Sequence, residues 1–131
     1  MLVLIVDDNA QNAKLARDVL RAAGLETLEA ATAAEGLAVA RARSPDVILL
    51  DVRLPDLDGA EALRRLKDDP ETAAIPVVAL TALGPEGEGA WAREAGFDGY
   101  LAKPISVAEF PAQVRAYCRG AGILPTRRAA P

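Results

Sequence analysis

Short uninterrupted apolar runs alternate along this chain with longer stretches in which apolar positions recur every three or four residues. Leu2–Val6, Val47–Leu50, Val77–Leu80 and Gly99–Ala102 have the length of strands, and Leu25–Ala30 is a weaker run of the same kind. Val-, Ile- and Leu-rich runs without polar alternation predict strands buried on both faces. Between them, Gln11–Ala23 puts Ala13, Ala16, Leu20 and Ala23 at helical spacing, and Gly24 supplies the stop. Thr32-Ala33-Ala34-Glu35 matches a capping box and opens a helix over Ala33–Arg43, which Pro45 ends. Asp58-Gly59-Ala60-Glu61 starts a third helix running to about Lys67, followed by a polar connection, Asp68–Ile75, closed by Pro76. A fourth helix is predicted over Pro85–Ala95, ending at Gly96. Ser106-Val107-Ala108-Glu109 is another capping box, and Val107, Phe110, Val114 and Tyr117 predict a core-facing stripe on the last helix.

Strands alternating with helices imply βαβ units around a parallel sheet, with right-handed crossovers. Five units fit an α/β doubly wound five-stranded sheet of order 2-1-3-4-5, whose switch point lies between the first and third strands. Ligands of such sheets bind at the carboxyl ends of the strands. Asp7, Asp8, Asp51, Thr81 and Lys103 all follow or close those ends. The order makes Asp7 and Asp8 neighbours of Asp51, sets Thr81 beside Asp51, and leaves Lys103 one strand further out, within reach through its four-carbon stem.

Composition narrows the chemistry. A chain of 131 residues with 51% hydrophobic and 26% charged residues has the makeup of one globular domain. There is no histidine, so a Ser-His-Asp triad, a Cys-His pair and histidine-ligated zinc are excluded. Any phosphohistidine must belong to another protein. The single Cys118, beside the last apolar stripe, reads as a small buried residue and fits a reducing compartment. A net charge of −4 offers no footprint for nucleic acid. No apolar stretch approaches the ~20 residues of a membrane span, and the start lacks a signal peptide, so the expectation is a cytoplasmic protein without membrane contact. Residues 120–131, with Gly, Pro and Arg, are expected to be a flexible tail.

Asp51 ends the most apolar strand, so it would stand at the centre of the edge on a rigid base, a good place for a nucleophilic carboxylate. Its ordinary alternative is a helix cap or a solvated loop acid. Asp7 and Asp8 add two negative charges nearby, and such a cluster repels itself without a cation. Oxygen ligands favour a hard ion, Mg²⁺, with Mn²⁺ able to substitute. Asp8 and Asp51 with a backbone carbonyl would hold it, and Asp7 through water. Lys103 can neutralise phosphoryl charge, and Thr81 can donate a hydrogen bond to a phosphoryl oxygen. Asp56-Leu57-Asp58-Gly59 has the form of a haloacid-dehalogenase-type phosphatase motif, but there the first Asp must follow a strand directly, and here Arg53-Leu54-Pro55 intervenes. As an EF-hand the same run fails too, with Leu54 and Arg65 where acids are needed.

Val6-Asp7-Asp8-Asn9, the run Leu50–Gly59 containing Asp51-Val52-Arg53-Leu54-Pro55, Ala79-Leu80-Thr81-Ala82 and Tyr100-Leu101-Ala102-Lys103-Pro104 together resemble the receiver domain of two-component response regulators (the CheY-like superfamily) over about residues 1–119. The stretch from Asp68-Asp69-Pro70 to Ala82 looks most like stand-alone and hybrid-kinase-associated receivers. The resemblance implies a flavodoxin-like (βα)₅ fold and an Asp51 that takes a phosphoryl group from a histidine kinase or a histidine phosphotransfer protein. It also implies that the metal-binding carbonyl is that of Arg53, that the Lys103-Pro104 bond is cis, and that Tyr100 is an aromatic switch coupled to Thr81. Output would pass to a downstream protein partner at the surface of helix 4, strand 5 and helix 5. The expectation is a single-domain signal carrier that assists its own Mg²⁺-dependent phosphorylation, with no DNA-binding output domain. Arg53 and Leu83, two positions past the acceptor and the switch threonine, carry no group to orient water, so self-dephosphorylation is expected to be slow. A Mg²⁺-dependent phosphatase using Asp51 and a receiver that never takes phosphate are the alternatives.

Overall fold

Five strands pair side by side, all parallel, joined by helical crossovers; the three central ones are apolar and buried on both faces, while the two edge strands are partly exposed. The computed structural model describes residues 1–81, 90–103 and 105–118. Its strands are β1 (Leu2–Val6), β2 (Glu26–Ala30), β3 (Val47–Asp51), β4 (Val77–Thr81) and β5 (Gly99–Ala102), in the order β2-β1-β3-β4-β5. The helices are α1 (Ala10–Ala22), α2 (Ala33–Arg43), α3 (Gly59–Asp68), α4 (Ala90–Ala95) and α5 (Phe110–Tyr117). This is the doubly wound flavodoxin-like order expected from the alternation of runs. The register pairs Val6 with Leu50, Asp51 with Leu80, and Thr81 with Ala102. The carboxyl ends of β1, β3, β4 and β5 therefore lie level along one edge.

Strand alternation sorts the core into two layers. Val3, Ile5, Val47, Leu49, Val78 and Leu80 pack with α1 and α5, through Ala13, Ala16, Leu20, Phe110 and Val114. Leu4, Val6, Ile48, Leu50, Val77 and Ala79 pack with α2, α3 and α4, through Ala33, Ala40, Leu63, Leu66 and Ala92. Burying each of the larger side chains is worth ~1.5–3 kcal/mol, so the strand edge that carries the polar residues rests on the most strongly held part of the molecule.

The helix starts follow local chemistry. Asn9 accepts from the Gln11 and Asn12 amides at 3.0 Å, Thr32 from Glu35 N at 3.1 Å, and Asp58 from Glu61 N at 2.9 Å. Glu35 returns a bond to Ala31 N at 2.8 Å, one residue earlier than an ideal capping box would place it. Gly24 follows α1 at φ +91°, a left-handed position that favours glycine.

The last helix differs from its expected form. Ser106 does not open it: residues 106–109 form a turn in which the Ser106 carbonyl accepts from Glu109 N and Phe110 N, and α5 begins at Phe110. Val107 is 61% exposed and is not part of the core stripe. The reason is Pro111. It has no N–H to give to a carbonyl four residues back, so it is tolerated only in a first turn, and the helix must begin just before it. Phe110 and Val114 are buried as expected, Tyr117 is half-buried, and Cys118 is buried with its thiol pushed up to about 11 by desolvation. The expected start of helix 4 at Pro85, Leu83, the Lys103-Pro104 bond and the tail lie outside the described residues.

Gly59 N donates to Val52 O at 3.0 Å, and a β-carbon at Gly59 would lie 2.9 Å from the Val52 α-carbon. That obstacle is strand-end backbone, which cannot rotate aside. Gly59→Ala is expected to lower stability by ~1–3 kcal/mol through overpacking, read as a lower urea midpoint at unchanged slope. A midpoint equal to wild type would mean that the loop yields freely at this point.

Candidate functional site at the carboxyl edge of the sheet

Asp7 extends β1 by one step, its amide donating to Ala30 O at 3.0 Å, and its Oδ1 accepts from Asn9 N at 2.9 Å. The same turn that caps α1 thus fixes Asp7, which is 4% exposed, while Asp8 projects outward and is exposed. Asp51, the last residue of β3, is 7% exposed. Its Oδ1 accepts from Arg53 N at 3.0 Å and its Oδ2 from Lys103 Nζ at 3.1 Å. Lys103 Nζ also stands 3.2 Å from Asp7 Oδ2, while Lys103 N is held by Thr81 O at 2.7 Å. The ammonium expected to reach back from the fifth strand does so, and it bridges two carboxylates.

The electrostatics follow from this packing. Burial raises the Asp51 carboxyl above its ordinary range, and the Asp7 charge adds to that, whereas the Arg53 amide and Lys103 oppose it. Burial alone would lower Lys103, but its hydrogen bond to Asp51 and the charges of Asp51 and Asp7 prevail and raise it. Lys103 Nζ thus stands between Asp7 and Asp51, with Asp8 beside the pair.

Asp7, Asp8 and Asp51 each offer a carboxylate oxygen, and these oxygens lie within 4.8 Å of one another. The donor set is all oxygen, exposed on the Asp8 side and backed by strand ends, which suits Mg²⁺ or Mn²⁺ and not a soft metal. Arg53, two residues past Asp51, has an exposed side chain and its backbone is bridged to Asp58.

Thr81 is 1% exposed at the end of β4. By strand alternation it lies on the same face as Val77 and Ala79, and Tyr100 packs on that layer too, half-buried beneath the Arg93 guanidinium at 5.6 Å from the ring centre. The two residues named as a coupled pair therefore share a face of neighbouring strands, opposite to the α1 and α5 layer. Leu83, named with Arg53 for the water approach, lies outside the described residues.

Sequence reasoning set Asp56 aside with the Asp-x-Asp-Gly run and gave it no role in the site. Asp56 accepts from Ala33 N through Oδ1 and from Ala34 N through Oδ2, both at 2.9 Å. The Ala34 and Ala33 amides hold its carboxyl below the usual carboxylate range. No periodicity reveals a bond across so much chain. The only local hint is an acid placed after Pro55 in a loop too tight to leave it free.

Comparison with known proteins places this arrangement. The model of the response regulator receiver domain family matches residues 3–115. The polar-differentiation response regulator DivK of Brucella ovis is 43% identical over 115 residues, which cover 88% of this chain and 94% of that protein. A crystal structure of a response regulator from Chloroflexus aurantiacus J-10-fl has a TM-score of 0.81 at 37% identity, covering 87% of this chain and 93% of that one. The receiver domain of the sensor histidine kinase PA1611 from Pseudomonas aeruginosa PAO1, solved with a magnesium ion coordinated in its active-site cleft, has a TM-score of 0.80 at 32% identity, covering 88% and 95%.

A carboxyl whose folded pKa stands above its unfolded value loses stability for the fold as the pH rises through that window. Asp51 is such a group, so in its ionised form it opposes folding. Asp51→Asn keeps an oxygen for Arg53 N and leaves Lys103 its contact with Asp7. With no divalent cation present, that variant is expected to melt above wild type at pH 7, with the gap closing as the pH falls toward 4. A lower melting temperature at pH 7 would mean that the Lys103 contact outweighs the burial of Asp51.

Proposed function

The chain belongs to the response regulator receiver domain family, and from that premise we propose that it accepts a phosphoryl group on Asp51 from a histidine kinase or a histidine phosphotransfer protein of a two-component phosphorelay. The observation that carries this reading is the convergence of Asp51, Asp7 and Lys103 within 3.2 Å contacts at the strand edge, with the Asp8 carboxylate alongside. An Asp51 oxygen bonds to phosphorus as the bond between phosphorus and the partner's imidazole nitrogen breaks, so the histidine is regenerated and an acyl phosphate remains. Lys103, already paired with Asp51, turns its charge to the incoming phosphoryl oxygens, and the Thr81 hydroxyl donates to one of them.

Asp7, Asp8, Asp51 and the Arg53 carbonyl would hold a Mg²⁺ ion. The magnesium site of the PA1611 receiver and the all-oxygen donor set here support that assignment. When bound, the ion neutralises charge on the transferred group. The protein is a signal carrier rather than a turnover enzyme: it consumes one phosphoryl group per event and loses it slowly, since Arg53 offers only donors to an approaching water. It works in the cytoplasm. Its output is contact with a downstream protein at the α4–β5–α5 surface, where Trp91, Arg93 and Tyr100 lie. Coupled movement of Thr81 and Tyr100 would carry the phosphorylation state to that face.

Two results test this reading. Incubation with acetyl phosphate or phosphoramidate is expected to add one phosphoryl mass only when a divalent cation is present, and Asp51→Asn is expected to abolish it. Equal labelling of that variant would move the acceptor elsewhere. Separately, Mg²⁺ is expected to raise the melting temperature, since a ligand binding only the native state at a hundredfold excess over its Kd adds ~2.7 kcal/mol. Asp8→Ala is expected to blunt that rise, and a wild type indifferent to Mg²⁺ would remove the metal site.

A further inference from the structure

We infer that Asp56 is a positioning residue for the phosphoacceptor loop: by holding the first turn of α2 with both carboxylate oxygens, it fixes the backbone that follows Asp51. The inference rests on the reading of Asp51 and Arg53 given above. Residues 52–58 join β3 to α3. They are held at the neck, where Arg53 bridges Asp58 and Gly59 N donates to Val52 O. Leu54 is buried, and Pro55 fixes its own φ just before Asp56. Asp56 stands near the tip of the loop, where the neck contacts no longer constrain it.

The partner of Asp56 is a firm anchor. Ala33 is 1% exposed and shares its core layer with Val52 and Leu54. The contact also completes α2. Of the first-turn amides, Glu35 N goes to Thr32 Oγ1, whereas Ala33 N and Ala34 N both go to Asp56. The helix's own capping residue leaves those two donors to be satisfied by the loop. A carboxylate at a helix N-terminus is well placed by charge as well. With neck and tip both held, the loop cannot swing about the end of β3. Arg53 N stays on Asp51 Oδ1 at 3.0 Å, and the Arg53 carbonyl keeps one direction. The Asp56 carboxylate oxygens accept from Ala33 N and Ala34 N, so it acts on Asp51 and Arg53 through the intervening backbone.

The test compares Asp56→Ala, Asp56→Asn and Thr32→Ala with wild type, by Mg²⁺ titration and backbone amide exchange followed by NMR. Asp56→Ala is expected to raise the Mg²⁺ midpoint roughly tenfold, the lower end for groups that orient a metal's ligands, and to speed exchange of the Arg53 amide. Asp56→Asn keeps one acceptor for the two α2 amides and is expected to fall between. Thr32→Ala removes the α2 cap without touching the loop, so it should lower stability while leaving the Mg²⁺ midpoint at the wild-type value. If Asp56→Ala speeds exchange only at Ala33 and Ala34, with Arg53 and the Mg²⁺ midpoint unchanged, Asp56 is a helix cap and the inference is overturned. If it and Thr32→Ala shift the midpoint equally, loss of α2 is the cause and the inference fails as well. A wild type that takes up no Mg²⁺ overturns the metal reading itself, and that is seen before any variant is made.

Discussion

Asp7 and Asp51 close adjacent parallel strands, and neighbouring strands stand only ~4.8 Å apart. Their carboxylates cannot separate without breaking the sheet, and both are largely removed from water. Lys103, reaching across from the far side of β4, is what makes the pair tolerable, with Nζ at 3.1 Å from one and 3.2 Å from the other. Three carboxylates against one ammonium still leave two negative charges on the edge, counting Asp8. The site therefore has a standing demand for positive charge, and a phosphoryl group would increase it. Burial sharpens this demand, because removing a carboxylate from water destabilises its charged form. The strand spacing thus accounts for the lysine contact and the suitability of the edge for a divalent cation, while burial is what chiefly raises the Asp51 carboxyl.

That constraint holds only if the edge is rigid, and rigidity comes from the two apolar layers. Val6 and Leu50, which directly precede the acids, are almost fully buried, as are Val47, Leu49 and Val77. The alternation that buries them also divides the edge. Thr81 and Tyr100 belong to the α2–α4 side, while the Ile5 and Leu80 side carries α1 and α5. A change at the Thr81 hydroxyl would be felt first on the face that holds Tyr100 and Arg93. The direction in which such a switch can act is a consequence of strand parity.

The elements that sequence reasoning located well are those set by local or periodic chemistry. Continuous apolar runs marked the strands, Thr32 and Asp58 marked helix starts, and Gly24 marked a helix end. Strand order then placed Asp7, Asp51 and Lys103 together without any coordinates. The misplacement of Val107 came from trusting a capping box over a proline. Ser106 and Glu109 satisfied the pattern, but Pro111 forbade the helix that pattern required, and backbone chemistry prevailed over spacing. The double pairing of Lys103 was not legible, because a flexible stem reaches several acids and only the fold decides which. Asp56 was illegible for a different reason. It bonds to backbone amides far along the chain, and backbone amides leave no mark in a sequence.

The aspartates show how far position outranks residue type. Asp46 and Asp98 lie at the opposite edge of the sheet, where they accept from Leu2 N and Val77 N, each at 2.7 Å, and so begin β1 and β4. Asp58 and Asp56 meet helix amides. In each of these cases a carboxylate answers a backbone donor that secondary structure leaves open, and Asp98 is also paired with Lys67 Nζ at 3.2 Å. Residues just past the carboxyl end of a parallel strand meet a different surrounding. Helices α1, α2 and α3 begin at this edge, but first-turn amides there are taken up by Asn9, Thr32, Asp56 and Asp58, and the Asp7 and Asp51 carboxylates face one another. Asp7 accepts from Asn9 N and Asp51 from Arg53 N. Their remaining lone pairs must turn to a cation, first Lys103 and then whatever joins it. The Asp-x-Asp-Gly run looks like a catalytic motif and serves as loop architecture, while the acids that carry the proposed chemistry are those whose position leaves them short of donors.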